Sequence, residues 1–230
     1  MLTLPLLALV PLSKKNVIRF SLNGVDDDYY TIYRRCIDDS IMQRIVHCNV
    51  MSFKRYYDDE YSTNGSKSRI QKKNFVDSIM DISVYLYLEH DGPLPGAKIA
   101  QAGVESSWGR AKGVKHHNYF NIKSRCKKRG FCAHKHKCHE LYDAVEQSTD
   151  SYRSFGSMLE SFTYHNELLK KKRYKKALTL KNSYDQLAEI RKSGYATLDY
   201  NHYMRMHGNI ANEFIFLDEL AKDLKNKLYD

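Results

Sequence analysis

The run Ala97-Lys-Ile-Ala-Gln-Ala-Gly-Val-Glu-Ser-Ser-Trp-Gly109 constrains this chain more than any other segment. It reads as an apolar helix that ends by presenting one carboxylate, Glu105, beside an aromatic ring. Ile99, Ala100, Ala102, Gly103 and Val104 supply a buried face, which brings Glu105 close to low-dielectric material. Burial disfavours an ionised carboxylate, and an acid that keeps its proton near neutral pH is what general acid catalysis needs. Gly109 lets the chain turn, and Trp108 is the only tryptophan in 230 residues. An aromatic ring beside an acid suits a wall that packs on a sugar face. Taken alone, the same residues read equally as a solvated glutamate and a core tryptophan.

The flanking pattern is mainly helical. From Arg69 to Glu89, Phe75, Ile79, Ile82 and Leu86 recur at spacings of three and four, the period of one helix face. His90-Asp-Gly-Pro-Leu-Pro95 ends that helix, because proline lacks an amide donor and disfavours helix before it. Gly96–Trp108 forms the next helix, residues 115–155 a loop followed by a short hairpin, and Ser157–Lys171, Ser183–Lys192 and Asn201–Leu228 three further helices. Residues 1–66 differ in character, with strand-like Val17–Leu22, the turn Asn23-Gly24, the acidic run Asp26–Asp28 and the tyrosine-rich Tyr56–Tyr61. The polar stretch Ser62–Ser68 is the expected linker. The chain therefore divides into an N-terminal region, 1–66, of unassigned role and a domain over 67–230.

Charge is divided the same way. Residues 1–91 hold 12 Lys/Arg and 12 Asp/Glu, whereas residues 92–230 hold 25 and 15 and carry the whole net charge of +10. A basic C-terminal part suits an anionic polymer, either nucleic acid or a cell-wall glycopolymer. No stretch approaches the roughly 20 apolar residues that a membrane-spanning helix needs. Met1–Val10 is apolar, but no basic residue precedes it and no clear cleavage site follows, so it is expected to be a buried segment rather than a secretory signal.

Several spaced segments, in order, give the domain a family likeness. Ala97–Gly109 is followed by Asn118-Tyr-Phe-Asn-Ile-Lys123, Tyr152-Arg-Ser-Phe155, Ser161-Phe-Thr-Tyr-His165 and Gly194-Tyr-Ala-Thr197. This order resembles the glucosaminidase family of peptidoglycan hydrolases, glycoside hydrolase family 73, over roughly Phe75 to Leu220. The resemblance implies a mainly α (α+β) fold, a lysozyme-like helical domain with a small β-hairpin, acting on bacterial peptidoglycan without a cofactor. It also implies an enzyme that works in the bacterial cell wall or periplasm. With no convincing signal, a phage-encoded or virion-associated enzyme is expected, its N-terminal region docking to a virion or another protein; no nucleic-acid partner is expected. Three departures stand out: Asn121 replaces the usual glycine, Leu198-Asp199 replaces the usual Asp-Pro, and a Cys/His-rich stretch is inserted after Lys123.

The resemblance assigns Glu105 the role of proton donor to the glycosidic oxygen. A second carboxylate usually activates water or meets the oxocarbenium ion. In the family it tends to lie on the hairpin before the Tyr152–Phe155 segment, where Glu140, Asp143, Glu146 and Asp150 are candidates and Glu140 and Asp143 are preferred. Tyr195 is expected to face the cleft and to position water or the N-acetyl group. The amide oxygen of an N-acetyl sugar can also attack the anomeric carbon itself. Trp108, Asn118, Tyr119, Phe120, Tyr152 and Tyr200 are the expected sugar-facing residues. Cys126, Cys132, Cys138, His134, His136 and His139 are weak candidates for zinc: their C-x5-C-x5-C spacing lacks the tight hooks of structural sites, and a disulfide is the stronger alternative. A lytic transglycosylase or muramidase, or a non-catalytic wall-binding or virion structural protein, remains open from the sequence.

Overall fold

A computed structural model describes residues 67–124, 137–143 and 147–229. The expectations for residues 1–66, and those for Cys126, Cys132, His134, His136 and Glu146, lie outside the described residues. The described chain comprises six α-helices and one two-stranded antiparallel sheet: α1 Lys67–Glu89, α2 Pro95–Glu105, β1 Cys138–Asp143, β2 Ser148–Arg153, α3 Met158–Leu169, α4 Ser183–Lys192, α5 Tyr200–Asn212 and α6 Ile215–Tyr229. The mainly helical class with one small hairpin is as expected, and no described helix is long and apolar enough to cross a membrane.

Helix α1 is the first wall of the core. Its Val76, Ile79, Met80, Ile82 and Leu86 are wholly buried and join Phe120, Phe162, Phe214 and Leu217 in one apolar cluster. It starts at Lys67, inside the stretch expected to be a linker. It stops where the His90–Pro95 segment predicts, with Asp91 in the left-handed region (φ 45°) and the Gly92 amide donating to the Leu86 carbonyl at 3.0 Å.

Helix α2 runs through the middle of the domain, and every residue from Pro95 to Gly103 is buried. Proline suits its first turn because its missing N–H would be unpaired there anyway. The remaining free amides are satisfied by distant side chains. Gly96 N donates to Asp218 Oδ1 on α6 (2.7 Å), Ala97 N to Ser183 Oγ on α4 (2.8 Å) and Leu94 N to Gln186 Oε1 on α4 (2.8 Å). The helix that ends at Glu105 is thus held at its start by two other helices.

Burial pushes the Asp218 carboxyl up to about 6, against the lowering effect of its hydrogen bonds from Ser183 and Gly96. The folded value exceeds that of an unfolded aspartate. The native state therefore keeps a proton the unfolded chain has lost, and this contribution, complete below about pH 4, disappears as pH rises through about 6. Asp218→Asn keeps the shape and the acceptor for Gly96. It is expected to be more stable than wild type by up to about 3 kcal/mol above pH 7, an advantage gone below pH 4. Melting temperatures of both proteins across that range check this; a constant difference would refute it.

The last expected helix, Asn201–Leu228, is two. Asp199 caps α5 by accepting from the His202 amide at 3.0 Å, and the chain then breaks at Glu213-Phe214. Neither glycine nor proline marks the break. Phe214 is fully buried in the main cluster, and Glu213 meets Lys72 Nζ at 2.8 Å, so packing against α1 makes the corner. Helix α3 begins with a reciprocal cap: Ser157 Oγ accepts from Glu160 N, while Glu160 Oε2 accepts from Gly156 N.

Candidate active site

An open cleft of about 900 Å³ lies beside the C-terminal end of α2. Val104, Glu105 and Ser107 form one wall, and Phe120 to Ser124 with Tyr152 and Arg153 of β2 form a second. Tyr164 and Leu168 of α3, the Gly194–Leu198 segment, and Met206 and His207 of α5 close it. Glu105 is its only carboxylate among the described lining residues, against four cations: Lys123, Arg153, Lys171 and Arg173. Lys123 is paired with Asp150 at 2.6 Å, and the Arg153 guanidinium lies over the Tyr164 ring at 3.9 Å.

Glu105 is the last residue of α2, its side chain 16% exposed. The turn after it explains the direction of Trp108. Ser107 and Trp108 both adopt positive φ (50° and 57°), and the Trp108 amide reaches back to the Gly103 carbonyl at 2.7 Å. A Cβ on Gly103 would lie 2.5 Å from the indole, so the glycine makes room for the ring to fold onto its own helix. Trp108 packs edge-on to Phe75 (6.1 Å) under Lys72 Nζ (4.9 Å) and does not line the cleft.

The loop after Lys112–His116, a short 3-10 helix, delivers the residue that departs from the family glycine. Asn121 sits at φ 49°, a left-handed conformation that asparagine tolerates better than most side chains. Its Nδ2 donates to the Glu105 carbonyl (2.8 Å) and to Glu105 Oε2 (3.0 Å). On the other side His207 Nε2 lies 3.4 Å from Glu105 Oε1. Neither residue stands among the sequence candidates. The required positive φ at a glycine position was the available signal for Asn121; His207 had none, since it reaches Glu105 only through the packing of α5 on α2.

The other candidates separate. Phe120 (1% exposed) lines the cleft, stacked on His165 at 3.9 Å and edge-on to Phe162 at 4.8 Å. Tyr119 instead enters the core between Phe75 and Phe162, where burial pushes its hydroxyl up to about 12. Asn118 is a buried clamp rather than a sugar contact: its Nδ2 donates to the Ile122 and Arg153 carbonyls (3.0 and 2.9 Å), and its Oδ1 accepts from Ile122 N. Tyr195 lines the cleft, but its hydroxyl donates to the Phe120 carbonyl at 3.1 Å. Burial, then the charge of Glu105, pushes it well above the ordinary tyrosine value, so it stays a protonated donor. Tyr152 is buried at the cleft edge, whereas Tyr200 packs on the α4–α5 cluster beneath Lys192.

The hairpin register distinguishes the preferred second acids. Glu140 pairs with Ser151 and Asp143 with Ser148. Glu140 is exposed and does not line the cleft. In the Cys/His stretch, Cys138 is disulfide-bonded, which removes its sulfur from any zinc set. His139 stacks on His116 at 3.9 Å; burial, then His116, lowers it to about 4.

Beneath Phe120 lies a buried lysine unforeseen from sequence. Lys98 on α2 is wholly buried, its Nζ 3.0 Å from His165 Nδ1, 3.4 Å from the Phe162 carbonyl and bonded to Asn166 Oδ1. Burial holds both Lys98 and His165 well below their ordinary values.

Solved structures with a similar arrangement include the glycoside hydrolase domain of Salmonella typhimurium FlgJ, at 22% identity over 68% of this chain and 97% of that one (TM-score 0.48). Others are a peptidoglycan hydrolase from Sphingomonas sp. A1, at 21% identity over 63% and 93% (TM-score 0.47), and the catalytic domain of the autolysin Auto from Listeria monocytogenes, at 19% identity over 73% and 94% (TM-score 0.47). No curated protein sequence matches the chain. The glucosaminidase family model, described as mannosyl-glycoprotein endo-beta-N-acetylglucosaminidase, matches residues 84–214, more than half of the 230 and including every residue that lines the cleft. The chain therefore belongs to the glucosaminidase family and is a glycoside hydrolase.

Proposed function

We propose that this enzyme cleaves bacterial peptidoglycan at the bond following N-acetylglucosamine, with Glu105 as the general acid. The observation that carries this reading is the cleft itself: among its described lining residues, one carboxylate at a helix end, held from two sides by Asn121 and His207, in a groove that also presents aromatic rings and four cations. A protonated Glu105 gives its hydrogen to the glycosidic oxygen as the bond to the anomeric carbon breaks. The cations Arg153, Lys171 and Arg173 suit a strand bearing carboxylates on its peptide stems. Residues 67–230 form the catalytic domain, and residues 1–66 serve for docking to a virion or another protein. The enzyme acts in the cell wall and is phage-encoded or virion-associated.

Cleavage that needs only one enzyme carboxylate is the form the described cleft favours. Either the substrate's own N-acetyl oxygen attacks the anomeric carbon, or the muramyl hydroxyl does, as in a lytic transglycosylase. A digest of purified peptidoglycan, read by mass spectrometry, separates these. Reducing N-acetylglucosamine ends are expected. Reducing N-acetylmuramic acid ends would make the enzyme a muramidase, and anhydro-muramyl ends a transglycosylase. Binding to the wall without any fragments would leave a non-catalytic module.

A further inference from the structure

We propose that His207 is a positioning residue that shares one proton with Glu105 and so keeps the acid's hydrogen on Oε1; this rests on Glu105 being the general acid. His207 is 2% exposed, and its Nδ1 lies 3.0 Å from the Tyr203 carbonyl one turn earlier on α5. A carbonyl only accepts, so Nδ1 carries a hydrogen. In the neutral ring, Nε2 then has a lone pair and no hydrogen. That atom is buried, has no hydrogen-bond partner, and lies 3.4 Å from Glu105 Oε1. Two facing lone pairs in a buried wall repel, and a single proton between them turns the contact into an attraction.

Asn121 decides which carboxyl oxygen holds that proton. Its amide orientation is set by the Glu105 backbone carbonyl, which only accepts, and the same Nδ2 donates to Oε2. Oε2 is therefore the accepting oxygen, and Oε1, facing His207, is left to bear the hydrogen. At 3.4 Å the contact is long for a nitrogen–oxygen hydrogen bond, so the proton is oriented without being tightly retained. On attack, the Oε1–H bond breaks, the proton passes to the glycosidic oxygen, and the electron pair of the breaking C–O bond stays with the departing sugar. The proton released when water adds to the anomeric carbon returns to the carboxylate.

The other groups facing the pair are Tyr195 from the Gly194–Leu198 segment, Tyr203 from α5 with Arg191 of α4 near it, and the neutral Asn121. Burial and the Glu105 charge raise both tyrosines, and arginine keeps its charge. None of them titrates near neutrality.

The direct test is the nitrogen-15 spectrum of histidine-labelled full-length protein. The Nδ1–H tautomer is expected at His207; the commoner Nε2–H tautomer would overturn the proposal without reference to activity. The second test is His207→Phe, which retains a ring where the imidazole stacks on Tyr203 (3.9 Å). Its kcat is expected to fall about tenfold, a fraction of the 10²–10⁴ that an acid supplies, with KM within about twofold. The basic limb of its kcat–pH profile should move to lower pH, because a protonated Glu105 loses its acceptor. An unmoved limb in a folded variant would overturn the proposal; if the variant does not fold, the tautomer decides. Near wild-type turnover by Glu105→Gln would instead refute the acid assignment and leave the tautomer result standing.

Discussion

Glu105→Gln is expected to abolish most release of reducing ends from peptidoglycan while leaving the melting temperature unchanged. The substitution keeps the length and shape of the side chain, and its amide oxygen can still accept from Asn121 Nδ2 where Oε2 now does. What it removes is the transferable hydrogen. A positioned general acid typically supplies 10²–10⁴-fold in rate. The cleft offers no other carboxylate among the described lining residues to substitute for it. The expected loss is therefore at the upper end of that range. Reducing ends counted per enzyme, with wall binding measured alongside, give the answer. A variant within about threefold of wild type would end the case for Glu105.

Phe120→Ala is the substitution expected to cost the most stability. The ring is 1% exposed, stacks on His165, meets Phe162 edge-on and lies 5.5 Å from Lys98 Nζ. Truncating a buried phenylalanine costs about 3–5 kcal/mol through lost transfer energy and the cavity left behind. In a domain of this size that corresponds to a fall in melting temperature of roughly 10 °C. The change also opens the Lys98–His165 cluster to water from the cleft side, which relieves part of the burial that holds both groups below their ordinary values, so the deficit against wild type should narrow as pH falls. Thermal unfolding at about pH 5 and pH 8 checks both parts. A drop under about 2 °C at either pH would mean that the floor repacks.

Much of the scaffold was legible because its signals are local. The three-and-four spacing of Phe75, Ile79, Ile82 and Leu86 requires only neighbours on one helix face, and the prolines at 93 and 95 act on the adjacent turn. Glu105 was legible for the same reason, as the single acid closing an apolar run. The hairpin was expected within residues 115–155 and lies there, but no strand pattern distinguished Glu140 from Asp143. Only the folded hairpin supplies the register, with Glu140 opposite Ser151 and Asp143 opposite Ser148.

By itself, the sequence determined the helical class, the C-terminal end of α1, the burial of α2 and the carboxylate at its end, since each depends on residue type and period within a few turns. The tertiary structure decided what surrounds that carboxylate. Trp108 turns back onto Gly103 through two consecutive positive-φ residues, so the ring close to the acid in sequence is not among the residues that line its cleft. Asp218 and Ser183 cap α2 from more than eighty residues away, Phe214 breaks a helix that no glycine or proline interrupts, and His207 comes to Glu105 from about a hundred residues downstream. These contacts arise when buried donors, acceptors and apolar rings must find partners across helices. That is a condition on the packed whole, and no local period in the chain encodes it.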